Sequence, residues 1–237
     1  MTMTGKQMRA LFALGTIFAV AVGVAFYQEG HAEHKGEITI ITTSPVVEEH
    51  LSPFKDVIGQ DYEAYRNHVY RVLTFALHFL GNLNHSDRRH IELALAYHDL
   101  GLWTDDDSLA YIEPSLKRAG EAASAEGWSE EAIQLVKNIV YWHHKVTAFE
   151  GPHADAVNAV RRADTVDFSM GIINHGMPWT HILNVYDGIK EKDTDVVIQE
   201  GLPSAGFHKM LMYLPLKRYG WKQLHQGIRE IVTIFKW

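Results

Sequence analysis

The chain contains no cysteine. Disulfide frameworks, thiolate metal sites and cysteine nucleophiles are therefore excluded. It also lacks any excess of positive charge. Lys and Arg number 22 against 29 Asp and Glu, a net charge of −7. No basic block offsets this balance locally, so nucleic acid is not the expected partner. No internal repeat and no low-complexity tract is present, and a composition of 46% hydrophobic and 22% charged residues is that of a globular chain. What the chain has in abundance is histidine, 15 in 237 residues. Histidine is the commonest metal ligand and a frequent acid or base.

One long stretch lacks charge altogether. Residues 10–27 are uncharged and mostly apolar, with Lys6 and Arg9 before them and Glu29, Glu33 and Glu37 after. As a helix this run is about 27 Å long, close to the thickness of a bilayer core. It reads as a signal anchor, the alternative being a cleaved signal peptide with a poor site at Gly30-His31-Ala32. The basic residues before it place the N-terminus in the cytoplasm and the remainder outside; export after cleavage and a cytoplasm-facing domain are the alternatives. Residues 28–58 read as a connector. Within it Glu37–Thr43 is β-prone, a short strand or an extended link, and Ser52-Pro53 marks a break.

From Asp61 onward the periodicity is helical. Tyr62, Tyr65, Val69, Val72, Leu73, Ala76, Phe79 and Leu80 recur at spacings of three and four. His68 and Arg71 lie one turn apart near this apolar stripe. Ser86 is a candidate N-cap for a second helix that runs to His98-Asp99, where Gly101 lets the chain turn. Pro114 suits the first turn of a third helix, and Ser129 caps a fourth that ends in Trp142-His143-His144-Lys145. Residues 154–170 are again helical, with Asp164 and Asp167 among Ala156, Val157, Val160, Ala163 and Val166. The Gly-Pro breaks near 176–178 and 201–203 flank one or two further helices, and Trp221–Phe235 closes the chain. The predicted domain, residues 59–237, is all-α.

The chemistry gathers at helix ends. Asp99 follows His98 after an apolar run, and burying either group without a partner costs several kcal/mol. Such a pair alone is as well read as a satisfied core pair. In order, however, the chain offers His68, His98-Asp99, His143-His144 and Asp164, each on or at the end of a helix with an apolar face. The segments His68-Val69-Tyr70-Arg71-Val72, Tyr97-His98-Asp99-Leu100-Gly101, Ile139-Val140-Tyr141-Trp142-His143-His144 and Arg162-Ala163-Asp164-Thr165-Val166-Asp167 resemble the HD-domain superfamily of metal-dependent hydrolases over about residues 60–170.

The resemblance implies a helical bundle holding one divalent metal through His68, His98, Asp99 and Asp164. Mn, Fe, Co, Ni and Zn all suit two imidazoles and two carboxylates. His143, His144, Lys145 and Arg71 are then the candidate substrate-holding or proton-transfer groups, with Asp167 an orienting group or a ligand. Residues 100–142 contain no histidine, unlike the two-metal members, so one ion is expected. No Gly-Tyr-Pro follows His143-His144, which argues against cyclic-di-GMP hydrolysis. The lysine or glutamate that some members carry after the His-Asp pair is replaced by Leu100, Gly101 and Leu102. The remaining histidines, His175 included, read as surface or satisfied core residues, and Asp105-Asp106-Asp107 reads as a solvated face.

Three functions fit. The first is a phosphohydrolase acting on a small phosphate ester or nucleotide. The second is a C–N bond hydrolase or hydratase of the cyanamide hydratase type. The third is a non-catalytic domain that senses a ligand.

Overall fold

The computed structural model describes residues 36–81, 85–105 and 110–190. The uncharged run 10–27, Asp106 and Asp107 of the acidic run, and the closing helix expected over 221–235 lie outside the described residues. Those described are helical, with no strand among them. No helix among them is long and apolar enough to cross a membrane.

The elements in order are α1 (Pro45–Leu51), α2 (Lys55–Ile58), α3 (Tyr62–Leu80), α4 (His85–Tyr97), α5 (Gly101–Thr104), α6 (Ile112–Ala125), α7 (Glu130–Trp142), α8 (Ala154–Phe168) and α9 (Trp179–Gly188), with single 3-10 turns at Ser52–Phe54 and Gly59–Asp61. The central element is α3. Its stripe of Tyr65, Val69, Val72, Leu73 and Ala76 is fully buried, and each large side chain there contributes about 1.5–3 kcal/mol. It packs along α8, while α7 lies against α4, α6 and α8. Gly81, at φ 71, ends α3 in a conformation that costs glycine little.

The helix caps follow the side-chain chemistry. Ser129 Oγ accepts from the Ala132 N–H, with Glu130 and Glu131 in the first turn of α7. Ser44 Oγ caps α1 in the same way, ahead of Pro45. By contrast α4 begins at His85, so Ser86 falls inside its first turn.

Helical structure begins well before Asp61. Val47, Leu51 and Ile58 are buried in the core, and Arg66 on α3 grips Glu48 on α1 at 2.6 and 2.9 Å. Short helices interrupted by 3-10 turns have too little periodicity to stand out from a connector. The β-prone segment ahead of them forms no strand among the described residues. Ile41 within it donates to Thr74 Oγ1 on α3, and Ser44 just after it donates to the Tyr70 hydroxyl, both at 3.0 Å.

Gly101 has a different role from the turn its position suggests. It opens α5, and its N–H donates to Ser115 Oγ at 2.8 Å. A Cβ at this position would collide with the Tyr111 carbonyl oxygen and press on Ser115. The missing side chain therefore lets the residues after His98-Asp99 press against α6. Gly101→Ala is expected to lower stability by about 1–3 kcal/mol through overpacking. Denaturant unfolding of the purified variant measures it, and wild-type stability would show that α6 can yield.

Candidate metal centre

Four helices deliver the polar side chains to one point. His68 comes from the middle of α3 and His98-Asp99 from the residues just after α4. His143 caps α7 and His144 follows it, while Asp164 and Asp167 lie one turn apart on α8. His68, His98, Asp99, His143, Asp164 and Asp167 are all no more than 1% exposed, and the side chain of His144 is 10% exposed.

The ring nitrogens are oriented by their far sides. His98 Nδ1 donates to the Leu95 carbonyl at 2.7 Å and His143 Nδ1 to the Val140 carbonyl at 2.6 Å. His68 Nδ1 donates to Asp167 Oδ2 at 2.7 Å. Each Nε2 is thereby turned inward, as metal-ligating imidazoles are held. His68 Nε2 and His98 Nε2 face one another at 3.1 Å. Around them, Asp99 Oδ2 lies 3.7 Å from His68 and 3.3 Å from His98, and Asp164 Oδ1 lies 3.4 and 3.9 Å from the same two nitrogens. Two ligands bonded to one ion at about 2.0–2.2 Å each can be separated by such distances. Asp164 Oδ1 is buried and receives no hydrogen bond despite these close approaches. An oxygen surrounded by nitrogens that do not hydrogen-bond to it fits a cation between them.

The second carboxylate oxygens face the other way. Asp99 Oδ1 lies 3.2 Å from His143 Nε2 and 3.7 Å from His144 Nε2, and Asp164 Oδ2 lies 3.0 Å from His144 Nδ1. Three overlapping groups have ligand atoms within 4.8 Å of one another: His68, His98 and Asp164; His98, Asp99 and His143; His143, His144 and Asp164. These buried histidines and aspartates could hold a metal ion. The four residues expected as ligands are together, and His143 and His144 line the same cluster.

Arg71 faces Asp167. Its Nε and Nη2 donate to the two oxygens of Asp167 at 2.6 and 3.0 Å, and it is only 2% exposed. It stands behind His68 and fixes the carboxylate that hydrogen-bonds to that ring. Lys145 lies over the Tyr141 ring at 4.9 Å and lines a cavity beside His144.

Several neighbours carried no signal in the sequence. Tyr65, a stripe residue by periodicity, stacks on His68 and His98, and its hydroxyl accepts from the Asp99 N–H. Tyr111 lies edge-on to His144. Arg161 and His175 share the cavity wall with His144 and Asp164. Arg161 is one turn before Asp164, a spacing that points to the same helix face. Nothing in the residues around His175 marks it.

Electrostatics match the geometry. Burial alone would raise the Asp99 carboxyl, but His98, then His143 and His144, hold it well below the usual range. Asp164 is held down against burial by His144 and His68, and Asp167 by Arg71 and His68. Burial disfavours the charged ring of His68, yet Asp164 and Asp167 raise it to about 9. His144 is likewise raised to about 9 by Asp164 and Asp99. Burial, together with the neighbouring His143 and His68, drops His98 to about 4 despite Asp99.

No family model, no curated protein and no solved structure matches the chain.

A pH dependence follows from the two raised histidines. The folded protein keeps both protons up to about pH 9, whereas the unfolded chain releases them near 6.5. Their stabilisation is complete below pH 6.5 and is lost as pH rises to 9. Denaturant midpoints of metal-free protein should fall across that window. A metal ligated by His68 must displace its proton, so affinity should rise about tenfold per pH unit between pH 7 and 9, with one proton released per ion. Calorimetry in buffers of different ionisation enthalpy counts that proton. A flat affinity would remove His68 from the ligand set, and two protons would add His144 to it.

Proposed function

We propose that this chain is a metal-dependent hydrolase of the HD type, acting on a small phosphate ester. The observation that carries this reading is the convergence of His68, His98, Asp99 and Asp164 around an Asp164 oxygen without a hydrogen bond. Their mixed nitrogen and oxygen donors suit first-row divalent ions. Such an ion, when bound, lowers the pKa of a water and polarises the bond attacked.

The remaining steps fall to side chains. His68 is kept in orientation by the chain Arg71–Asp167–His68. His144 borders the cavity beside Asp164, the position from which a ring could protonate a leaving oxygen. His143, fully buried, keeps Asp99 in place from the far side. A phosphate is favoured over a nitrile or an amide because two further cationic side chains, Lys145 and Arg161, line the cavity. A C–N bond hydrolase has no evident use for them. Intact ligands also weigh against a purely sensing domain.

The same reading assigns residues 10–27 as a membrane anchor, with the helical domain outside the cytoplasm. Full-length protein should partition with membranes, and residues 28–237 should be soluble. Uncut full-length protein in the soluble fraction would rule the anchor out.

Ligands and neighbours should fail differently on mutation. Asp99→Ala removes a charged ligand, so metal content and activity should fall together. His143→Ala should keep its metal while turnover on a panel of phosphate esters drops about 10- to 100-fold, because the ring positions Asp99 without reaching the cavity. The bland alternative, a ring that merely caps α7, predicts a stability cost of about 0.3–1 kcal/mol and unchanged turnover. A His143→Ala protein without metal would make His143 a ligand, and metal analysis of wild type near two equivalents would then establish a second ion between His143, His144 and the outer carboxylate oxygens.

A further inference from the structure

A cavity of about 200 Å³ adjoins the centre and shares His144 and Asp164 with it. Two of its other lining residues are incompletely satisfied. Arg161 is only 9% exposed. Its Nε donates to Asn158 Oδ1 at 3.1 Å, and its Nη1 donates to the Lys145 and Val146 carbonyls at 3.2 and 3.1 Å. All three acceptors are neutral, and no carboxylate among the described residues lies within ion-pair distance of the guanidinium. A buried cation without a counter-ion is costly, and Arg162 beside it adds to the cost. Asn158 is itself fixed, since it exchanges hydrogen bonds with the Phe149 N–H and carbonyl at 2.9 Å. The guanidinium is therefore held ready with its charge uncompensated.

His175 is the second such group. Its Nε2 is buried and has no hydrogen-bond partner. Its backbone sits in the left-handed region at φ 48, which is unusual for a residue with a Cβ. The turn is locked around it: Asn174 Oδ1 accepts from the Gly176 N–H at 3.1 Å, and the Asn174 carbonyl accepts from Met177 at 2.8 Å. Strain maintained by its surroundings is a mark of a position that serves a site. An anion in the cavity would satisfy both residues at once.

We propose that this cavity binds the phosphoryl group of a compact phosphomonoester, with Arg161 and His175 holding oxygens that point away from the metal centre. The inference rests on the hydrolase reading and names its substrate class. Charge favours it. Asp99 and Asp164 neutralise one divalent ion, so a phosphate dianion needs its counter-charge elsewhere, and Arg161 supplies it in a bidentate-capable form. Size and lining narrow the ester. A volume of about 200 Å³ is below the ~300–1,000 Å³ of sites that enclose drug-sized ligands. The rest of the wall includes Val146, Phe168 and Ile173, which suit a short apolar alcohol better than a sugar and base.

The test uses metal-loaded full-length protein, inorganic phosphate as probe, and the variants Arg161→Gln, Arg161→Lys and His175→Ala. Phosphate affinity by calorimetry should fall about 10- to 100-fold in Arg161→Gln and less in His175→Ala, with metal content unchanged. KM for a small apolar phosphomonoester should rise in parallel, and wild type should prefer that ester to a nucleoside monophosphate. Arg161 also ties down two loop carbonyls; if Arg161→Gln unfolds on that account, Arg161→Lys and His175→Ala decide. Unchanged phosphate affinity and KM in folded variants would overturn the anion site even if wild type hydrolyses esters. Phosphate binding that depends on Arg161 and His175, without turnover of any ester, would sustain the site and sink the hydrolase reading. Preference for the nucleotide would overturn the compact-substrate assignment.

Discussion

Two carboxylates buried within a few ångströms of the same imidazoles set the terms for this structure. Asp99 and Asp164 are each 1% exposed, and neither could remain charged in an apolar interior without cations around it. The helices supply those cations at fixed points. α3 brings His68 from one side, α7 brings His143 and His144 from another, and α8 carries Asp164 to meet them. If the carboxylates were unpaired, the packing of α3 on α8 would enclose two negative charges. With protons or a metal in place, the same packing is favourable. The hydrophobic stripe of α3 and the polar cluster are therefore interdependent: Val69 and Leu73 bury the helix in the same turns that present His68 and Arg71.

Where that dependence was legible in the sequence, it was legible through spacing. Helical periodicity marked α3, α7 and α8, and Ser129 caps α7 as its side chain predicts. The His-Asp pair and Asp164 each stand out because a charged group interrupts an apolar face. What remained hidden was hidden for physical reasons. The helices at 45–58 are shorter than two or three turns, so their periodicity is not visible. Gly101 reads as a turn residue by type, yet its use is close approach to the Tyr111 carbonyl, a contact between chain segments that no local pattern encodes. Arg71 looks like a free cation near a site until Asp167 is seen to occupy two of its nitrogens.

The same limit applies to the cavity. Arg161 is one of two adjacent arginines on α8, Arg161 and Arg162, whose roles differ only by what faces them. His175 lies in a loop whose only sequence mark is a Gly-Met-Pro break. Its place beside His144 comes from the path of residues 169–178, which return the chain from α8 toward α9 through left-handed turns at Met170 and His175. Tyr65 shows the converse: a residue correctly read as core also supplies a hydroxyl to the Asp99 backbone.

The centre has two faces because each aspartate uses both oxygens. The inner oxygens meet His68 and His98, which are sealed from solvent, and the outer ones meet His143 and His144, of which only His144 reaches the cavity. Access from the cavity is therefore confined to one side. A ligand entering the cavity contacts His144 and the Asp164 carboxylate before anything else in the cluster, and the buried ring of His98 stays neutral behind them, its Nδ1 tied to the Leu95 carbonyl. A proton leaving or entering the cluster has His144 as its nearest exposed carrier. Among the described residues, that single side chain, 10% exposed, joins a charge-balanced core to the cavity.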